Sequence, residues 1–182
     1  MKLNKAMLVL AAAGLLTSAA SYATDNTGAT SGPQEATATL VVTSTATFDH
    51  TLQAATGIVP GRLADGAVLA TGTVSASQAM QKVRLSWVRS TNPVLMSRGA
   101  EYAQLLPEDG DKNKVIPVMF KPVIKPEQSV SNDANVTYTL ATPAQTFSYK
   151  IVNAAREIGL GDMTTISAGS YKMTVNADTV FA

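Results

Sequence analysis

The chain has 182 residues, 14 lysines and arginines against 13 aspartates and glutamates, one histidine and no cysteine. Its near-neutral balance calls for neither nucleic acid nor an anionic membrane surface as a partner. The lack of cysteine excludes thiol catalysis, thiolate metal sites and haem attachment, and an exported domain of this composition must rely on core burial and sheet pairing.

The first residues read as a secretory signal peptide. Lys2 and Lys5 form a positive start, and Ala6 to Leu16 is an apolar run too short to span a bilayer. Ser21 and Ala23 suit the −3 and −1 positions of a signal-peptidase site, so cleavage is expected between Ala23 and Thr24, with Ser18 and Ala20 as a weaker alternative. An N-terminal helix of a cytosolic domain would need polar residues at helical spacing inside the run, which has none. Removal of residues 1–23 leaves 159 residues, enough for one domain with a real core, carrying 12 basic against 13 acidic groups.

Residues 24–34 are polar, small and Gly/Pro-bearing, the composition of a flexible leader. Glu35 to Thr43 then alternates as an extended strand does. Ala36, Ala38, Leu40 and Val42 share one face, and Thr37, Thr39, Val41 and Thr43 the other. Ser44 to Leu52 continues extended, with no turn signal between Val42 and Phe48. A strand that runs on without a turn fits poorly in a self-contained hairpin and well in a segment that leaves for another subunit.

Downstream, residues 56–61 read as a turn, and Gly66 to Ala76 as a strand with Val68, Ala70 or Leu69, and Val74 apolar. Gly72 within it suggests a bulge or a close backbone approach. Lys82 to Ser90 puts Val83, Leu85 and Trp87 on one face, the clearest half-buried strand in the chain. Asn92-Pro93 ends it. A short strand over 100–106, a turn over 107–113 and a strand over 114–121 follow, the last with Pro117 arguing for an edge or a bulge. Residues 125–135 read as a polar loop, and 136–140 and 146–152 as two strands. A helical turn is plausible only within 153–165, limited by Gly159 and Gly161. The last strand, 170–181, carries Tyr171, Met173, Val175 and Ala177 on one face, and the chain's final residues lie in it. Such a series indicates an all-β antiparallel sandwich, with a seven-stranded immunoglobulin-like form fitting the length.

Chemistry-bearing motifs are scarce. His50 beside Asp49 reads as an exposed strand-end pair, and no G-x-S-x-G elbow occurs. Asp109 to Asn113 matches the first half of a calcium loop, but Lys114 and Phe120 stand where Gly and Glu are needed, so it reads as a hairpin tip. Asn135-Val-Thr137 is a glycosylation sequon by pattern only, and Gly159-Leu-Gly161 lacks a nucleotide-binding context. Arg84, Arg89, Arg98, Lys112, Lys114, Lys121 and Lys125 read as solvated outward positions rather than a receptor face for acidic ligands. Trp87 reads as core. No enzyme activity, cofactor or metal is expected.

Two stretches carry a resemblance. Glu35-Ala-Thr-Ala-Thr-Leu-Val41 and Ser167-Ala-Gly-Ser-Tyr-Lys-Met-Thr-Val-Asn-Ala177 resemble the ends of the cysteine-free capsular-antigen pilins. Leu40-Val-Val-Thr43 with Gly61-Arg-Leu-Ala-Asp-Gly-Ala-Val-Leu-Ala-Thr-Gly-Thr-Val74 resembles the N-terminal half of Dr/aggregative-adherence adhesin subunits. The chain is thus similar to chaperone–usher fimbrial or capsular subunits. It lacks the disulfide that Dr-like subunits start near the position of Ala46, so their receptor specificity does not carry over.

The resemblance implies an incomplete immunoglobulin-like sandwich over 44–182, completed by donor-strand exchange, behind a leader and donor strand over 24–43. Ala36, Ala38, Leu40 and Val42 would be the donor residues, and Tyr171, Met173, Val175 and Ala177 would line the acceptor groove. It implies identical subunits head to tail, a periplasmic chaperone, an outer-membrane usher and a host receptor as partners, and export through the periplasm to the cell surface. The competing reading is a stand-alone secreted or periplasmic β-sandwich binding module whose N-terminal strand pairs within its own domain. A secreted hydrolase has no motif to support it.

Overall fold

The computed structural model describes residues 46–182, and the expected donor residues and the expected Ala23–Thr24 cleavage junction lie outside them. The described chain forms strands β1 (Phe48–Ala54), β2 (Gly61–Ala64), β3 (Val68–Trp87), β4 (Tyr102–Leu105), β5 (Ile116–Pro122), β6 (Gln128–Ser131), β7 (Val136–Asn153), β8 (Met163–Ile166) and β9 (Val175–Phe181). A single 3₁₀ turn, Lys112–Lys114, precedes β5. All pairings are antiparallel.

Two long strands organise the sheet. Each of β3 and β7 was expected as two separate strands and is instead continuous. Their shared ladder shifts register between Ser75 and Met80 and again between Met80 and Lys82. There both strands fold over. The Tyr138 and Phe147 rings prove it: nine positions apart on one strand, they would lie about 30 Å apart if β7 ran straight, yet their centroids are 5.5 Å apart. The first arm of β3 (68–76), the second arm of β7 (146–153), β1, β5 and β4 make one layer. The second arm of β3 (80–87), the first arm of β7 (136–139), β6 and β9 make the other. A small β2–β8 ladder closes one end.

The core lies between the arms. Val83, Leu85 and Trp87 from one layer face Phe147, Tyr149, Ile151 and Phe120 from the other, all buried. Trp87 stacks on Phe120 with centroids 4.3 Å apart, and its indole N–H donates to the Glu101 carbonyl at 3.2 Å. The period-2 burial of each arm follows from the alternation in sequence.

Gly72 makes no bulge. The Tyr149 ring lies flat across it, filling the space a side chain would take. The Tyr149 hydroxyl reaches past it to His50 Nε2 on β1, 2.9 Å away. His50 is therefore no exposed strand-end residue: it sits mid-strand, half-buried, and burial holds its pKa below the ordinary value despite Asp49 beside it.

Other expectations change as well. Pro117 is not on an edge, since β5 runs between β4 and β7. It sits where the β7 ladder has ended, at Val118↔Asn153, so no ladder bond needs its missing N–H, while its carbonyl accepts from the Ala154 amide at 3.0 Å. Residues 125–135 contain strand β6, exposed at every position, with β7 its strand partner and Ser131 Oγ accepting from the Ala100 amide at 2.9 Å. Residues 154–160 make a single turn, as expected, with Ile158 N–H bonded to Ala154 O at 3.3 Å and Leu160 N–H to Ala155 O at 2.8 Å. The Asp109–Lys114 tip holds its own cation. Lys114 Nζ lies 2.8 Å from Asp109 and 3.4 Å from Asp111, and this hydrogen bond holds the Asp109 carboxyl below the usual range.

Candidate strand-accepting groove

The fold-over of β3 creates an open flank. β1 pairs with its first arm and β9 with its second, along the same edge of the strand. Each is therefore the outer strand of its layer on the same side of the sandwich. Among the described residues neither has a partner strand beyond β3.

The side chains there are caught between core and solvent. Along β9 burial alternates, but the inward positions Val175, Ala177, Thr179 and Phe181 are only half-buried. In β3 and β7 the equivalent inward positions Val83, Leu85, Val136 and Tyr138 are fully buried. Leu52 on β1, Ala76, Tyr171 and Met173 share the half-buried state and pack on the same core. Burial of apolar area is the main source of stability in a disulfide-free domain, so this row is a stretch of core lacking its cover.

Of the four expected groove residues, Val175 and Ala177 lie in β9, while Tyr171 and Met173 precede it. Tyr171 forms an isolated bridge to Pro107. Met173 lies in the extended approach to β9, which is pinned by Asn92, at the end of the strand expected over 82–90. Asn92 is fully buried; its Nδ2 donates to the Lys172 carbonyl and its Oδ1 accepts from the Thr174 amide, both at 2.8 Å. One side-chain amide thus replaces a strand partner for residues 172–174. Nothing in the dipeptide Asn92-Pro93 announces that role, because its partners lie 80 residues away.

Beyond Met173 the flank widens into a hollow of about 360 Å³ walled by Leu69, Leu105, Ile116, Ile166, Tyr171 and Met173. Ile58 and Val59 stand at its rim, and Val59 keeps 72% of its surface exposed. The arrangement offers an extended apolar trough with an unpaired backbone edge, suited to an extended peptide with alternating apolar side chains. Among the described residues no cluster of His, Cys, Asp or Glu has the makings of a metal site.

Solved structures with this fold include the Salmonella SafD adhesin, with a TM-score of 0.56 at 17% identity over 74% of this chain and 88% of that one. HdaB, the minor tip subunit of the E. coli Hda pilus, gives 0.55 at 15% identity over 74% and 84%. A structure from the AAF fimbriae of enteroaggregative E. coli, described for fibronectin binding and biofilm formation, gives 0.57 at 12% identity over 74% and 89%. No family model matches the chain, and no curated protein matches its sequence. At these identities the likeness is one of fold: an all-β, antiparallel, immunoglobulin-like sandwich shared with fimbrial subunits and adhesins.

Proposed function

We propose that the chain is a non-enzymatic structural subunit of a bacterial surface fimbria or capsule-like fibre, polymerising by strand donation. The observation that carries this reading is the half-buried inward row of β9, Val175 to Phe181, on a strand paired along one edge only. Left open, such an edge is an aggregation liability. An added strand would bury the row and complete the backbone ladder. In this reading residues 1–23 address the chain for export and 24–43 supply the leader and donor strand for the domain 44–182. Ala36, Ala38, Leu40 and Val42 of one copy lie against the Tyr171–Ala177 flank of the next. Burying Leu40 and Val42 would contribute about 1.5–3 kcal/mol each, the alanines less.

A periplasmic chaperone would cover the trough before assembly, and an outer-membrane usher would be the place of exchange. The contact is head to tail and does not close, so the product is an open fibre at the cell surface. Adhesion to host surfaces belongs to the same reading, supported by the fold shared with SafD and the AAF protein.

The test is deletion of residues 28–42 from the mature chain. The truncated form should give no fibres by electron microscopy and size-exclusion chromatography, and a synthetic 28–43 peptide should bind and stabilise it. Leu40→Asp should stop fibre growth while leaving chaperone binding intact. A full-length protein that remains a stable monomer, and that merely unfolds on truncation, would establish the stand-alone module instead.

A further inference from the structure

The sandwich has two unlike poles. At one, both long strands fold over and the described chain begins: the Thr47 amide donates to Ser77 Oγ and the Ser77 amide to the Thr47 carbonyl, both at 3.0 Å, and Gln145 Nε2 donates to Ser77 O at 3.2 Å. Beside Gln145 opens an apolar hollow of about 490 Å³, walled by Val123, Ile124, Pro126, Leu140, Pro143 and Phe147. Ile124 is 82% exposed there. At the other pole lies the end of the groove, with Ile58 and Val59 on its rim. Each pole thus shows an uncovered apolar feature, one concave and one projecting.

We propose that the fold-over hollow of one copy receives the Ile58–Val59 rim of the next copy in the fibre. This rests on the strand-donation reading, with the donor antiparallel to β9. Every ladder in the described chain is antiparallel, and that pairing is the more stable per residue. β9 runs from the groove pole to the fold-over pole, since Val175 faces Trp87 and Phe181 faces Met80. An antiparallel donor therefore leaves the groove beside Ile58 and Val59. From Val42 to Thr47 is a short connector, spanning at most about 17 Å when fully extended. The donating body must then sit with its fold-over pole, and the hollow, against the rim it has just passed. The connector length and its point of attachment select a second copy of this chain as the occupant.

The cysteine-free chain allows a clean test. Fibres assembled from the mature chain carrying both Val59→Cys and Ile124→Cys are treated with a short bismaleimide. A ladder of covalent multimers on a denaturing gel is expected, whereas either single variant gives no ladder. Fibres that form but show no ladder overturn the pole-to-pole contact while leaving strand donation standing. Dimers from Ile124→Cys alone would place two fold-over poles together, the arrangement of a parallel donor, and also overturn it. If the unmodified chain forms no fibres and the 28–43 peptide does not bind, the donation reading fails and takes this contact with it.

Discussion

Replacing Gly72 with alanine should destabilise the domain by an amount that the Tyr149 ring sets. A Cβ at position 72 would penetrate that ring, with the hydroxyl oxygen 2.5 Å away. The ring has little room to yield. Tyr149 is fully buried, meets Phe120 edge-on at 5.6 Å and Phe147 at 6.4 Å, and is tied at its tip to His50. Overpacking of this kind costs about 1–3 kcal/mol, and losing the His50 bond adds about 1 kcal/mol. Alanine's advantage over glycine in a strand returns about 0.5–1 kcal/mol. The net loss is about 1–3.5 kcal/mol, a fall in Tm of roughly 2–14 °C for a domain of this size. Urea unfolding of the mature chain, followed by the fluorescence of its single tryptophan, Trp87, measures it directly. In a Tyr149→Ala background the same substitution should be neutral or stabilising by up to about 1 kcal/mol. A Gly72→Ala protein as stable as the parent, or an unchanged penalty without the ring, would refute the reasoning.

Asn92→Ala strips the partners from Lys172 O and Thr174 N–H and should cost about 2–3 kcal/mol, with weaker binding of a 28–43 peptide in a fluorescence titration, because the Tyr171–Met173 wall loses its anchor. His50 has its folded pKa lowered by burial, so the unfolded chain takes the proton first. Stability should fall as pH drops through the unfolded value near 6.5 and level off below the folded one, and His50→Gln should flatten that part of a urea-midpoint profile. Asp178→Asn removes the exposed pair with Arg84 at 3.1 Å and should change the urea midpoint by less than about 0.5 kcal/mol equivalent.

What could be read from the residues was the inward face of each segment. Val83, Leu85 and Trp87 alternate with polar neighbours, as do Phe147, Tyr149 and Ile151, and burial follows that alternation. The fold-over of β3 and β7 could not be read. It occurs at register shifts rather than at a glycine or proline turn in β3, so the break in period looks like the end of one strand and the start of another. Strand β6 was hidden for another reason: all its positions are exposed, and backbone pairing to Val136–Thr139 defines it as a strand. Pro117 misled because its cost depends on where the neighbouring ladder stops, which is a tertiary fact. The alternation of Tyr171 to Ala177 continues into β9 only at Val175 and Ala177. The Asn92 clamp and the Ile58–Val59 rim depend on contacts across long sequence distances and leave no local trace.

Strands that belong to both layers have a consequence for how the domain comes apart. In a sandwich built from separate strands, one sheet can loosen while the other keeps its hydrogen bonds. Here β3 and β7 carry the ladders of both layers, and the Tyr138–Phe147 contact ties the arms of a single strand together across the core. Opening one layer drags on the other through the covalent chain as well as through packing. The two layers therefore share one cooperative transition, and the domain keeps its form until it yields as a whole.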